Sequence, residues 1–363
     1  MLTIQNTVLL SDVLKLPKQT LKDICTDLDL PNDGLAGDLS ERIWVKISKD
    51  RVLQNLGLKN CKDKLLAGRT SVTWYSIEGT ETLDGMKELI IENNDFNPFE
   101  KVVIPPRDTL TSTPILISGA QGEEEGEYYL RFMYKSGVIR DIYGEEMTTR
   151  PKSSVGNVYI NEKKNCIEIR TEPKVAERIA GSLASLIRQQ ISLSETVIMA
   201  PYGSDVELLA DDLKGELIDA VAKPELFVEE FTQDQGEAVV GILSALDTFF
   251  EDEDINKLQI GLLDAKQRFG DDLLTVPFTA IILAGMEKVG MGVTGRDLRG
   301  LPLYDSLRPY LQHQGGFIRF EIKEDGVMKP YTIRVGLTTN SIVFLTPATE
   351  SAIRYVRDNV IVR

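Results

Sequence analysis

Apolar side chains recur every three to four residues near the start of the chain. Leu21, Ile24, Cys25 and Leu28 make one face of a helix over 18–28, with Pro17 at its start, where the fixed φ of proline suits a first helical turn. The next segment, LDLPNDGLAGD, carries Pro31, Gly34 and Gly37 and predicts an extended loop. A second helix, capped by Asp38, then buries Leu39, Ile43 and Ile47. Beyond 64 the period changes. A strand is predicted over 71–77, with Trp74 and Tyr75 on opposite faces, then a helix over 83–91 and a Pro- and Gly-punctuated loop holding one strand at 115–118. From Tyr128 the alternation is two. YYLRFMYKSG and VIRDIYG read as strands joined at KSG, MTTRPKSSVGN as a loop, and NVYINEKKNCIEIRT as a hairpin turning at NEKKN. An amphipathic helix with Val175, Ile179, Leu183, Leu186 and Ile191 on its stripe follows.

The C-terminal end returns to this order. Tyr129-Leu130-Arg131-Phe132 is echoed by Phe317-Ile318-Arg319-Phe320, and Cys166-Ile167-Glu168-Ile169 by Ser341-Ile342-Val343-Phe344. Between them, Leu208, Leu209, Leu213 and Leu217, then Val239, Ile242, Leu246 and Phe249, carry a helical period. The expectation is an α+β chain: a small helical module (1–64), an antiparallel sheet plus helix (65–200), an acidic helical region (201–300), and a C-terminal sheet plus helix (301–363) that duplicates 127–190.

Charge sharpens this division. The chain of 363 residues has a formal net charge of −15. Residues 1–64 hold ten Lys and Arg against nine Asp and Glu, whereas 205–275 hold nineteen Asp and Glu against five Lys and Arg. Lys15, Lys18 and Lys22 recur at helical spacing around the first helix, and Arg42, Lys46 and Lys49 around the second, so a local cationic surface suited to phosphate is expected there. The acidic region, with Glu251, Asp252, Glu253 and Asp254 at its densest, repels polyanions and suits a basic protein partner. Arg131, Arg140, Arg150 and Arg170, with Arg319, Arg334, Arg354 and Arg357, either form basic faces on the sheets or pair with neighbouring carboxylates.

The helix, extended loop and helix over 8–47 resemble the SAP domain and, more loosely, the N-terminal domain of transcription terminator Rho. The matching residues are Leu21-Lys22, Cys25, Leu28, Leu30, Gly34, Leu39 and Arg42-Ile43. The SAP resemblance implies a DNA-binding module that tethers a larger protein, and covers about a tenth of the chain. The family commonly has a basic residue two positions after the loop glycine; this chain has Ala36 there, followed by Asp38. A DNA-associated adaptor is therefore the first functional expectation. A protein-interaction subunit that has lost DNA binding, of the kind that serves genome maintenance or antiviral defence, is the second.

Catalytic chemistry finds little support in the sequence. Cys25, Cys61 and Cys166 are scattered and odd in number, which predicts reduced thiols in a cytoplasmic (or, in a eukaryote, nuclear) setting. No secretory leader is expected, since polar residues and Asp12 interrupt the first apolar stretch, and no run reaches the length of a membrane span. His313, in PYLQHQGG, reads as a helix end. GMGVTG follows an expected helix over 279–289 and so lacks the strand that a dinucleotide fingerprint needs. Asp305 with Glu321 and Lys323 fits a loose metal-dependent nuclease pattern, a third reading. No cofactor and no resident metal are expected.

Overall fold

The computed structural model describes residues 1–77, 82–187, 193–224, 237, 240–242, 244–246, 249, 255–269, 289–290, 297–299, 301, 304, 308, 311–337 and 340–362. The chain is α+β. It divides into two compact units, the first made of Met1–Gly203, Asp212–Lys214 and Phe320–Arg363, the second of Ser204–Asp211 and Gly215–Arg319.

The first unit opens with a helical module of α1 (Leu10–Val13), α2 (Lys18–Asp27), α3 (Ala36–Ile47), α4 (Arg51–Gly57) and α5 (Lys62–Leu65). Pro17 precedes α2 as expected. The second long helix starts earlier than the sequence suggested. Asp38 is its third residue, and the Asp38 carboxylate accepts the Leu35 N–H at 3.0 Å. Gly34, at φ +113, makes the turn that lets α3 begin at Ala36. Asp50 caps α4 by accepting the N–H groups of Val52 and Leu53. Gly57 lets α4 pass close to the end of α2: a Cβ there would lie 2.9 Å from Leu28 Cδ1.

The chain continues through β1 (Ser71–Ile77), α6 (Met86–Asn93), β2 (Ile115–Gln121), β3 (Glu127–Tyr143), β4 (Glu146–Asn161), β5 (Cys166–Arg170), α7 (Pro173–Ile187) and β6 (Leu193–Glu195). The second unit holds most of α8 (Val206–Asp212), then β7 (Glu216–Pro224), α9 (Ile255–Phe269) and β8 (Val289–Gly290). Next come β9 (Leu311–Glu324), β10 (Val327–Gly336), β11 (Ser341–Phe344) and α10 (Glu350–Val356). Leu217, expected on a helix, lies in β7, and His313 lies in β9 opposite Ala222 rather than at a helix end. Of the expected helix over 279–289, residues 279–288 lie outside the described residues, and Val289 belongs to β8.

In the first unit β1 is central. It pairs antiparallel with β5 on one edge and, on the other, with β11 through Ser71–Thr73 and with β6 through Tyr75–Ile77. Outward from it the order is β5, β4, β3, β2 on one side and β11, β10, β9 on the other, and β9 runs on into the second unit to pair with β7. One sheet face is apolar: Leu130, Phe132, Val158, Ile160, Ile167 and Ile169 pack against α6 and α7. The helical module covers the other face, where its core meets Ala120, Tyr129 and Tyr159. Every residue of β5 is buried because both faces are covered.

The hairpin of β3 and β4 outruns its neighbours. β2 leaves β3 at Met133, and β5 reaches β4 only from Asn157. Between these points a two-stranded ribbon, exposed over 138–150, extends to a tight turn at Gly144-Glu145, with Gly144 at φ +61. KSG is therefore no hairpin turn: a register shift falls between Lys135 and Gly137, and the strand continues. The segment MTTRPKSSV, expected as a loop, is the return strand.

Candidate nucleic-acid interface

The buried stripes of α2 (Leu21, Ile24, Cys25) and α3 (Leu39, Ile43, Ile47) fix which side chains face outward. Lys18 and Lys22 lie one turn apart on α2, Arg42 and Lys46 one turn apart on α3, with Lys15 before the first helix and Lys49 just past the second. Lys15, Lys18, Lys46 and Lys49 are exposed, and Lys22 and Arg42 half-buried. None of these five lysines has an ion-pair partner among the described residues. Arg42 serves the fold itself. Its guanidinium donates to the carbonyl oxygens of Pro31 and Asp33, the latter at 3.2 Å, and so pins the loop to α3. The N-terminus of α3 is not a free anion site, because the Asp38 carboxylate already occupies it.

Some lysines elsewhere are neutralised. Lys62 pairs with Glu123 at 3.0 Å and Lys163 with Glu125 at 2.8 Å, so part of the acidic run over 123–125 is matched locally. The Lys62 hydrogen bond holds the Glu123 carboxyl below the usual carboxylate range.

The arginines divide in a way the sequence left open. Arg131 and Arg170 on the sheet, and Arg357 at the end of α10, are buried, while Arg140 and Arg150 stand on the exposed ribbon. Arg131 donates to Asp12 at 2.7 Å, to Asn157 Oδ1 at 3.1 Å and to the Thr7 carbonyl, joining the module to β3 and β4. Glu168 accepts from Arg170 at 2.7 Å, from Arg357 at 3.2 Å and from Trp74 Nε1 at 3.2 Å. Arg170 also grips Glu350 with both terminal nitrogens, and Glu350 accepts the Tyr129 hydroxyl at 3.0 Å. Burial alone would weaken Arg170's hold on its proton; Glu350 and Glu168 reverse that, so the guanidinium stays charged. Burial, with Glu350 beside it, pushes the Tyr129 hydroxyl pKa well up. Closed to solvent except at Glu350, this network clasps the module and α10 onto the sheet. Of the two alternatives the sequence left open for Arg170, pairing with carboxylates holds, and the covering helices make both Glu168 and Arg170 interior.

Glu321 and Lys323 lie on the exposed side of β9, with Ile322 buried between them, as the alternation implied. Asp305 and residues 251–254 lie outside the described residues, as do Gly292 and Gly295 of GMGVTG. Among the described residues no group of three or more His, Cys, Asp and Glu is arranged to hold a metal, and no helix is long and apolar enough to cross a membrane. All three cysteines are buried, and burial pushes the Cys61 and Cys166 thiols up to about 12. A polar cleft of about 330 Å³ is lined by Lys87, Gln121, Tyr128 and Glu162, but these groups bond to one another: Glu162 accepts from the Lys87 N–H and the Tyr128 hydroxyl, and Lys87 Nζ reaches Gln121. The chain matches no protein-family model, and no curated protein matches it.

Proposed function

We propose that the chain is a non-catalytic, DNA-associated adaptor that contacts the phosphate backbone through its N-terminal helical module and recruits a basic protein through its acidic region. The observation that carries this reading is the clustering on and beside α2 and α3 of five lysines that have no carboxylate partner among the described residues. Docking of the module by Arg131 and its apolar core gives those lysines a fixed platform.

The test is retardation of a duplex DNA by the full chain across a salt series. Each phosphate contact contributes about −0.9 to the slope of log affinity against log salt, so Lys18→Ala with Lys22→Ala should flatten that slope by roughly two. No retardation at low salt rejects DNA contact. That outcome would favour the second reading, a protein-interaction subunit, which the Asp38 carboxylate at the α3 N-terminus supports.

A further inference from the structure

The ribbon of β3 and β4 extends beyond its neighbouring strands. It runs about 27 Å at the usual strand rise, and a two-stranded ribbon is marginal in water without cover. Its exposed side chains include Ile142 and Tyr143, 69% and 86% accessible. Neither its cations (Lys135, Arg140, Arg150, Lys152) nor its carboxylates (Asp141, Glu145, Glu146) have an ion-pair partner among the described residues. These charges are ordered along the ribbon: Lys135 and Lys152 at the base, Glu145 and Glu146 at the tip.

The register fixes what each face displays. Ile139 lies opposite Arg150, Asp141 opposite Thr148 and Tyr143 opposite Glu146, and cross-strand partners share a face. A two-fold axis through the Asp141–Thr148 row, crossing the ribbon, would lay this face on its own copy with the ribbons antiparallel. Ile139 then meets the second copy's Tyr143, and Arg150 meets the second copy's Glu146, each contact made twice. A surface that complements itself under a two-fold is what a symmetric dimer requires. We propose that the chain self-associates by antiparallel packing of the Ile139–Tyr143–Glu146–Arg150 face of this ribbon against a second copy. Asp141 sits on the axis opposite itself, so this geometry also contains one like-charge contact. Self-association of this kind is independent of DNA contact by the lysines.

Light scattering coupled to size exclusion tests it on the full chain at micromolar concentration. The expected mass is twice the 40.5 kDa of one chain. Glu146→Arg alone and Arg150→Glu alone should each give monomer, because each sets like charges together. Mixing those two variants, or combining both substitutions in one chain, should restore the dimer. Asp141→Asn should tighten association several-fold, while Ile142→Ser with Met147→Ser, on the opposite face, should leave the mass unchanged. Circular dichroism confirms that each variant is folded. A monomeric wild-type chain, or a dimer that survives the single charge reversals, overturns the proposal. So does loss of the dimer on changing only the opposite face, or a ribbon whose variants alter DNA affinity with the mass unchanged.

Discussion

Asp12→Ala removes the acid that joins the helical module to the sheet. Asp12 Oδ2 takes two hydrogen bonds, from Arg131 at 2.7 Å and from the Leu9 N–H at 2.8 Å. Both charged side chains are almost wholly buried, at 4% and 1% accessibility. Removing one member of such a pair costs about 3–5 kcal/mol, because the other charge is left without its counter-ion. Arg131 keeps the Thr7 carbonyl and Asn157, which places the loss near the lower end. Losing the acceptor for Leu9 adds about 1 kcal/mol, the usual worth of a helix-start bond. The expected total is about 4 kcal/mol, measured by urea unfolding, with faster amide exchange concentrated in α1 to α5. Asp12→Leu with Arg131→Met should recover part of the loss, since two apolar groups leave no stranded charge although the Leu9 N–H and the Thr7 carbonyl lose their partners. A destabilisation under about 1 kcal/mol for Asp12→Ala, or a double variant as weak as the single one, would refute the claim that this pair holds the module down.

Three further outcomes follow from the geometry. The thiols of Cys25, Cys61 and Cys166 should resist a thiol reagent at neutral pH in the native chain and all react after denaturation; rapid labelling of the folded protein would contradict their burial. Burial alone would raise the Glu324 carboxyl, but hydrogen bonds from Thr349, Lys329 and Tyr331 outweigh it and hold the acid below its ordinary range. Its stabilising contribution is thus complete above the ordinary glutamate value of about 4.3 and disappears as pH falls through the lowered native value, so Glu324→Gln should flatten the acid limb of a stability–pH curve, and an unchanged limb would count against it. Gly119→Ala would set a Cβ 2.8 Å from the Phe99 ring, and overpacking of this kind costs about 1–3 kcal/mol, readable as a lower unfolding midpoint.

Helices whose apolar stripe is buried on one side were legible in the sequence. Leu21, Ile24, Cys25 and Leu28 located α2 to within a residue, and β1 was placed over its observed range. The errors have physical causes. Asp38 was read as a cap because Asp favours that position, yet it serves as well three residues in, once Gly34 turns the chain. The ribbon was cut at KSG and again after Gly144 because an exposed strand is under no pressure to alternate, and Pro151 suggests a loop unless the strand has an open edge. Leu217 fell in with a helical period formed by Leu208, Leu209 and Leu213, although it belongs to β7. The lysines of the proposed DNA surface were identifiable individually. That Arg42 clamps a loop, and that Glu168 and Arg170 lie inside, depends on segments far apart in the chain, which local pattern does not encode.

The place of β1 bears on how the chain is made. Its partners arrive at very different times: Cys166–Arg170 first, and Ser341–Phe344 about 170 residues later. At translation speeds of about 5–20 residues per second, the Ser71–Thr73 part of the β11 edge, which β6 does not cover, waits roughly tens of seconds for its neighbour. A nascent chain in that interval presents an open template for foreign strands. Truncation before β11 would therefore leave a sticky fragment instead of a smaller working protein, and a chaperone that shields β1 would raise the yield of the whole chain.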